Sequence, residues 1–223
     1  MAAKKGDGLL MVYSEVPAKH EEEYNAWYDT EHIPERLSIP GVLSAARYQA
    51  VEGGPKYLAC YELATADAYH AEAWQKWLRN PTPWSRRMSP TVIATKFIRN
   101  LYRRIYPATV PAETAEADMA PVMLVGRMSV PAALDAKFNE AYNNERLPLL
   151  SRIPGYIRAR RFEAVMGEPR YTTLHEMSSL DVWRSKAWDD WRTAVTPVWS
   201  GEVRQAMIHA EGSPGVFRRI FPA

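Results

Sequence analysis

The sequence predicts an α+β protein built from two tandem βαββαβ repeats whose sheets cover one another. Three observations lead there: the chain matches itself over nearly its whole length, each half shows the same order of strand-like and helix-like runs, and a stretch poor in large apolar residues separates the halves. YNAWYDTEHIPERLSIPGVLSAARYQAV matches FNEAYNNERLPLLSRIPGYIRARRFEAV further on. One constant offset pairs Tyr24 with Phe138, Tyr28 with Tyr142, Glu31 with Glu145, Pro34 with Pro148 and Arg47 with Arg161. The same offset pairs Trp74 and Trp77 with Trp188 and Trp191, and an offset one residue longer pairs NLYRRIYP with GVFRRIFP. The expected repeats span residues 1–107 and 121–223, joined by an Ala/Pro-rich linker at 108–120, with a disordered start in MAAKKGDG.

Within the first repeat, Leu9 to Val16 is a β-rich run, and Pro17 with Lys19 opens a helical stretch. Tyr24, Tyr28 and His32 recur every fourth residue and share one helix stripe, expected to face the sheet. Proline disfavours helical geometry in the residue before it, so Pro34 should end this helix near Ile33. Pro40-Gly41 marks the entry to a strand from Val42 to Val51, and Glu52-Gly53-Gly54-Pro55 turns it back into Tyr57 to Leu63. A second helix is expected from Ala66 to Leu78, and a closing strand from Leu101 to Tyr106. Helices on one sheet face leave the other apolar and in need of cover, which the twin repeat supplies.

Apolar residues at 47% and charged residues at 24% give an ordinary soluble balance that can bury a core without staples. The formal net charge of +2 gives no footprint for nucleic acid. No stretch approaches the roughly 20 apolar residues that cross a bilayer. The lone Cys60 rules out an internal disulfide framework and a multi-cysteine metal site, and reads as a buried filler. No metal, no cofactor and a cytoplasmic location are therefore expected. No Gly-rich phosphate loop or G-x-S-x-G elbow occurs. The excess is in aromatics, eight Trp and twelve Tyr, which fill cores or line a cavity for a flat ligand.

The segment WYDTEHIPERLSIPGVLSAARY resembles the dimeric α/β-barrel superfamily of ferredoxin-like modules, in its EthD-like and stress-responsive types. Trp27, Tyr28, His32, Pro34, Pro40, Gly41, Arg47 and Tyr48 carry the resemblance. It implies that the tandem chain forms an intrachain barrel, as a monomer with an internal pseudo-dimer or as a homodimer. Relatives with this fold include isomerases, polyketide cyclases, cofactor-free monooxygenases and haem enzymes, so the fold alone does not choose a reaction. The second repeat departs from the pattern, with Arg146 in place of His32 and Ala141 in place of Trp27.

That divergence places the expected chemistry in the first repeat. His32 is the expected general base or acid, its alternative being a helix-end cap. Tyr28 and Tyr61 would stabilise an oxyanion, and Trp27, Tyr24, Tyr57 and Trp77 would wall the substrate. Arg47 would clamp a carboxylate or enolate, or else pair with Glu62 across the hairpin. Glu31 and His175 are secondary candidates, whereas His20, His70 and His209 have no such context. The function this suggests is a cofactor-independent lyase or isomerase acting on a small hydrophobic, aromatic compound. The alternatives are a non-catalytic aromatic-ligand binder, a cofactor-free monooxygenase or a haem-binding barrel.

Overall fold

The computed structural model describes residues 4–194 and 196–222. Its strands are β1 (Gly8–Glu15), β2 (Val42–Glu52), β3 (Tyr57–Leu63), β4 (Lys96–Tyr106), β5 (Val122–Ser129), β6 (Tyr156–Met166), β7 (Tyr171–Met177), β8 (Ile208–His209) and β9 (Gly215–Phe221). All their pairings are antiparallel, in the order β7-β6-β4-β1-β3-β2-β9-β5. A further pairing of β5 with β7 closes these eight strands into a barrel, and the two-residue β8 hangs on β5. Closure leaves the ring without a free edge.

Alternation along each strand sends one set of side chains inward and the other under the helices. Leu58 and Cys60 of β3 point in, beside Leu9, Met11, Tyr48, Tyr102, Met123, Phe162 and Leu174, all fully buried. Tyr57, Ala59, Tyr61 and Leu63 point out and meet Tyr24, Trp27 and Tyr28 from the first helical layer. The second half has its own outer layer around Phe138, Tyr142, Trp188 and Trp199. The barrel interior is packed with side chains, so open space lies between sheet and helices.

An ionic chain crosses that interior. Arg160 donates to both carboxylate oxygens of Glu62, at 2.9 and 2.7 Å, and to Glu176 at 2.7 Å. Lys4 also bonds Glu176, at 3.2 Å. The start of the chain is therefore fixed from Lys4 onward, contrary to the expected disorder, while residues 1–3 of that stretch lie outside the described residues. Lys4 can be held there because Glu176 supplies a buried counter-charge. The 108–120 stretch carries a short helix, Ala112–Ala115, and lays Met119 and Ala120 into the barrel core.

The first helix, Ala18–Trp27, does not stop at Pro34. A π-type turn at Tyr28–His32 follows, in which the Ile33 N–H bonds the Tyr28 carbonyl, and helix continues through Ile33–Leu37. The wide turn places Pro34 at the start of a new helical segment, where its missing N–H costs nothing. The expected Ala66–Leu78 helix is split into a 3₁₀ turn, Ala66–Tyr69, and a helix, Glu72–Arg79. Helices Pro83–Met88 and Pro90–Ile93 then lead into β4, which starts five residues before the expected Leu101. Gly41 has φ +94° and Gly155 φ +78°, conformations that explain glycine at each strand entry.

Candidate functional site

Two of the spaces beside the barrel wall are lined by matching residues, one in each half. The N-terminal pocket holds about 80 Å³ and is lined by Tyr28, His32, Arg36, Tyr61, Trp74 and Arg99 among others. The C-terminal cavity is far larger, about 580 Å³, and its wall includes Trp183, Trp188, Trp191 and Trp199 with Tyr142 and Arg146. Only the second has the size of an ordinary small-molecule site.

The structure brings several of the expected first-half residues together. The His32 ring lies 4.4 Å from Trp27, 4.9 Å from Tyr28 and 6.5 Å from Tyr61. Burial, aided by Arg36, Arg47 and Arg99, holds the His32 pKa well below the usual imidazole range, so its ring is neutral. Burial likewise raises the Tyr28 and Tyr61 phenols above theirs. Tyr24 packs against both Tyr28 and Tyr57, and Tyr24 and Tyr57 belong to the core rather than the pocket wall. Trp77 is half-buried at the edge of that core.

Arg47 does not pair with Glu62. It lies opposite Ala59 in the β2–β3 register and so points to the helix side, where it bonds Asp29 at 2.7 Å and Asn25 at 2.6 Å. Glu62 has the opposite parity and meets Arg160 inside the barrel. Arg47 also lies over the Tyr28 ring at 4.5 Å, as Arg161 lies over Tyr142 at 4.5 Å. Glu31 accepts hydrogen bonds from Trp27, Thr82 and Ser85, tying the π-type turn to helix Pro83–Met88. Glu145 does the same by accepting backbone N–H bonds from Val198 and Trp199.

The larger cavity depends on residues for which the sequence had given no role. Ser85 and Trp199 occupy matching positions, as do Trp27 and Ala141, so the bulky and small partners are exchanged between the halves. Trp199 lies 4.9 Å from Tyr142 and 6.2 Å from Phe138, the same distances that separate Trp27 from Tyr28 and Tyr24. An indole is thus retained in each half. The extra space comes from elsewhere: Gly126 stands where Val12 stands, and β9 has 7 residues against 11 in β4. The shorter strand leaves no counterpart to Phe97 and Arg99, which fill the N-terminal pocket. Four of the eight Trp fall within Trp183–Trp199, a clustering that could have pointed to this half.

Arg184, Arg192 and Arg204 line this cavity from exposed positions, and its buried arginine is Arg146. Its guanidinium lies 4.3 Å from Trp191 and 5.3 Å from Trp199 and donates to the Ala194 carbonyl at 3.2 Å. Its Nε is buried without a hydrogen-bond partner, as is Nε1 of Trp188, and no carboxylate pairs with it among the described residues. His175 lies deeper, with Nδ1 2.9 Å from the Tyr156 hydroxyl and Nε2 3.5 Å from that of Tyr142. Burial and the nearby Arg146 and Arg161 push its pKa down to about 3, so it is uncharged. His209, from β8, stands at the rim.

No family model matches the sequence, and no curated protein matches it. Solved structures match nearly end to end. A protein assigned as a chlorite dismutase aligns at TM-score 0.63 and 14% identity, over 96% of this chain and 95% of its own. An anthrone oxidase-like protein aligns at 0.62 and 12%, over 98% and 93%. A haem-binding protein from Thermus thermophilus aligns at 0.54 and 12%, over 96% and 91%. The fold is that of the dimeric α/β barrels. At these identities the likeness establishes the barrel and nothing finer. The expected cofactor-independent lyase or isomerase finds no support here: the matched barrels are named for chlorite dismutation, oxidation and haem binding.

Haem can be tested against this barrel's own residues. A haem iron needs an axial side chain with a free lone pair. In the C-terminal cavity, both His175 nitrogens face phenol hydroxyls, and the ring is boxed edge-on by Trp188 and Trp191 at 5.5 and 5.4 Å. His209 is exposed on a two-residue strand. His175 therefore presents no free nitrogen to an iron. Among the described residues there is also no group of three His, Cys, Asp or Glu suited to a metal ion, and no helix long and apolar enough to cross a membrane.

Proposed function

We propose that the C-terminal cavity binds a flat, acidic aromatic molecule, a phenol or aromatic carboxylate, and that the chain supports its oxidation by dioxygen. The observation that carries this reading is Arg146, a buried guanidinium without a counter-ion, sandwiched by indoles inside a 580 Å³ cavity. A planar anion would stack on Trp188, Trp191 or Trp199 and place its oxygen on the unpartnered Nε of Arg146. A cation at that oxygen holds a phenol as phenolate, the form that most readily yields electrons. For a phenol-activated ring methylene, one dioxygen atom becomes the new carbonyl oxygen and the other leaves as water with the two hydrogens. The named oxidase among the barrels of like fold supports the oxidative direction.

The repeat organisation belongs to the same proposal. Residues 1–107 and 121–223 are read as two ferredoxin-like units of one EthD-like duplication, the second enlarged for the ligand, and the sequence self-match supports this.

The test is oxygen uptake with a hydroxylated anthrone as probe, alongside a parallel titration with hemin. Saturable uptake, reduced about 10²- to 10³-fold in Arg146→Met, is the expected result. If the probe neither binds nor consumes oxygen, the reading fails. If oxygen is consumed only after hemin loading, with a Soret band that tracks activity, haem chemistry replaces it.

A further inference from the structure

The N-terminal pocket has a different chemistry from the cavity. It is too small for a ring system, yet three polar groups of its lining residues are buried without partners, and a fourth, the Tyr61 hydroxyl, meets only the Tyr28 phenol. Nη1 of Arg36, Nε1 of Trp74 and Nδ1 of His32 are buried and unbonded, and the Tyr61 hydroxyl, beside the Tyr28 phenol, has no hydrogen bond of ordinary length. Arg36, Tyr61 and Trp74 are 7, 1 and 3% exposed. Arg36 lies 5.3 Å over the Trp74 ring, and the Tyr61 and Trp74 rings are 6.2 Å apart, so the three side chains border one space.

A buried guanidinium normally has a carboxylate beside it, because an uncompensated charge away from water costs several kcal/mol. Arg36 feels the neighbouring Glu35 carboxylate but forms no ion pair with it or with any other described residue, and no Asp or Glu lines the pocket. Arg99 adds a second cation, with one nitrogen spent on the Tyr69 hydroxyl at 3.2 Å. The wall therefore offers positive charge and neutral donors but no negative partner. About 80 Å³ corresponds to two or three water molecules, at about 30 Å³ each, or to a ligand of three or four heavy atoms.

We propose that this pocket is a binding site for a small planar monoanion of the size of formate or nitrate, held by Arg36, Tyr61 and Trp74 under the His32 ring. The anion supplies the missing counter-charge to Arg36 and accepts the free O–H and N–H donors. The site is separate from the Trp-walled cavity and stands whether or not that cavity oxidises anything.

The test is titration of the whole protein with sodium nitrate at constant ionic strength, with gluconate, too large for the pocket, as the balancing anion. Thermal midpoint and tryptophan fluorescence are read together. A saturable rise in midpoint with nitrate but not gluconate is expected. Arg36→Met should abolish the response and, with no anion present, melt higher than the parent because an unpaired buried charge is gone. Tyr61→Phe removes one donor while keeping the ring, Trp74→Phe removes another while keeping an aromatic side chain, and each should weaken nitrate binding about 10-fold. These two decide the matter if Arg36→Met does not fold. The proposal is overturned by an absent or unsaturable response, by a response that Tyr61→Phe and Trp74→Phe leave unchanged, or by one lost in Arg146→Met, which would place nitrate in the other cavity.

Discussion

Arg160 and Glu62 face each other inside the barrel through two parallel hydrogen bonds of 2.9 and 2.7 Å, one residue from each half of the chain. Both side chains are almost wholly buried, and Glu176 and Lys4 extend the chain of charges.

Removing one partner strands the others. Glu62→Ala or Arg160→Ala should cost about 3–5 kcal/mol, measured by urea unfolding, because each leaves an unpaired charge in a dry interior. The double change Glu62→Ala with Arg160→Ala should cost clearly less than the sum of the single ones. Additive losses would mean that the pair is not coupled.

Acid should weaken the fold well before the carboxylates titrate. His175 stays neutral in the folded chain down to about pH 3 but gains a proton near pH 6.5 once unfolded. Its lowered pKa means the unfolded state binds the extra proton, so stability falls as pH drops from 6.5 toward 3, by up to about 1.4 kcal/mol per pH unit. His32, also lowered by burial, adds a second contribution of the same sign. Glu176, lowered by Arg160 against its own desolvation, adds its loss only below its ordinary range near pH 4.5. In His175→Gln the slope between pH 6 and pH 4 should flatten; an unchanged slope would refute the assignment.

Glu31 should matter for stability out of proportion to its half-exposed position. Three donors, from Trp27, Thr82 and Ser85, end on its Oε1. Glu31→Ala leaves the Trp27 indole N–H with Ser85 alone and should cost about 1–3 kcal/mol, with Glu31→Gln recovering part of it. A loss below about 0.5 kcal/mol in thermal unfolding would show that water replaces the carboxylate freely.

The two strand-entry glycines should differ. Alanine pays about 1–2 kcal/mol for a left-handed backbone at either. At Gly41 its Cβ would meet only the Ala68 Cβ at 3.0 Å, whereas at Gly155 it would meet Ser178 Oγ and Val182 Cγ2, both at 2.7 Å. Gly155→Ala should therefore melt lower than Gly41→Ala.

Much of this architecture was legible in the residues. Alternation in Tyr57–Leu63 is enough to place Tyr57 and Tyr61 on the face opposite Glu62, and the Gly53-Gly54 turn joins β2 to β3 as expected. Pro34 misled, because a local rule cannot register a π-type turn that resets the helix before it. The Arg47 partner was missed since pairing was assumed along the hairpin, whereas parity sends Arg47 outward to Asp29 and Glu62 inward to Arg160. His32 points to the first half, whereas the cavity volume is set by Gly126 and a shortened β9, neither of which carries reactive chemistry by itself.

The closure of the ring also governs how the molecule comes apart. β4 is zipped to β6 and β2 to β9, so each half supplies the seam the other needs, and neither retains a complete wall when the other is lost. Heat or denaturant should then dismantle the whole chain in a single cooperative step rather than half by half, and a fragment cut between the halves would expose two raw strand flanks ready to recruit one another.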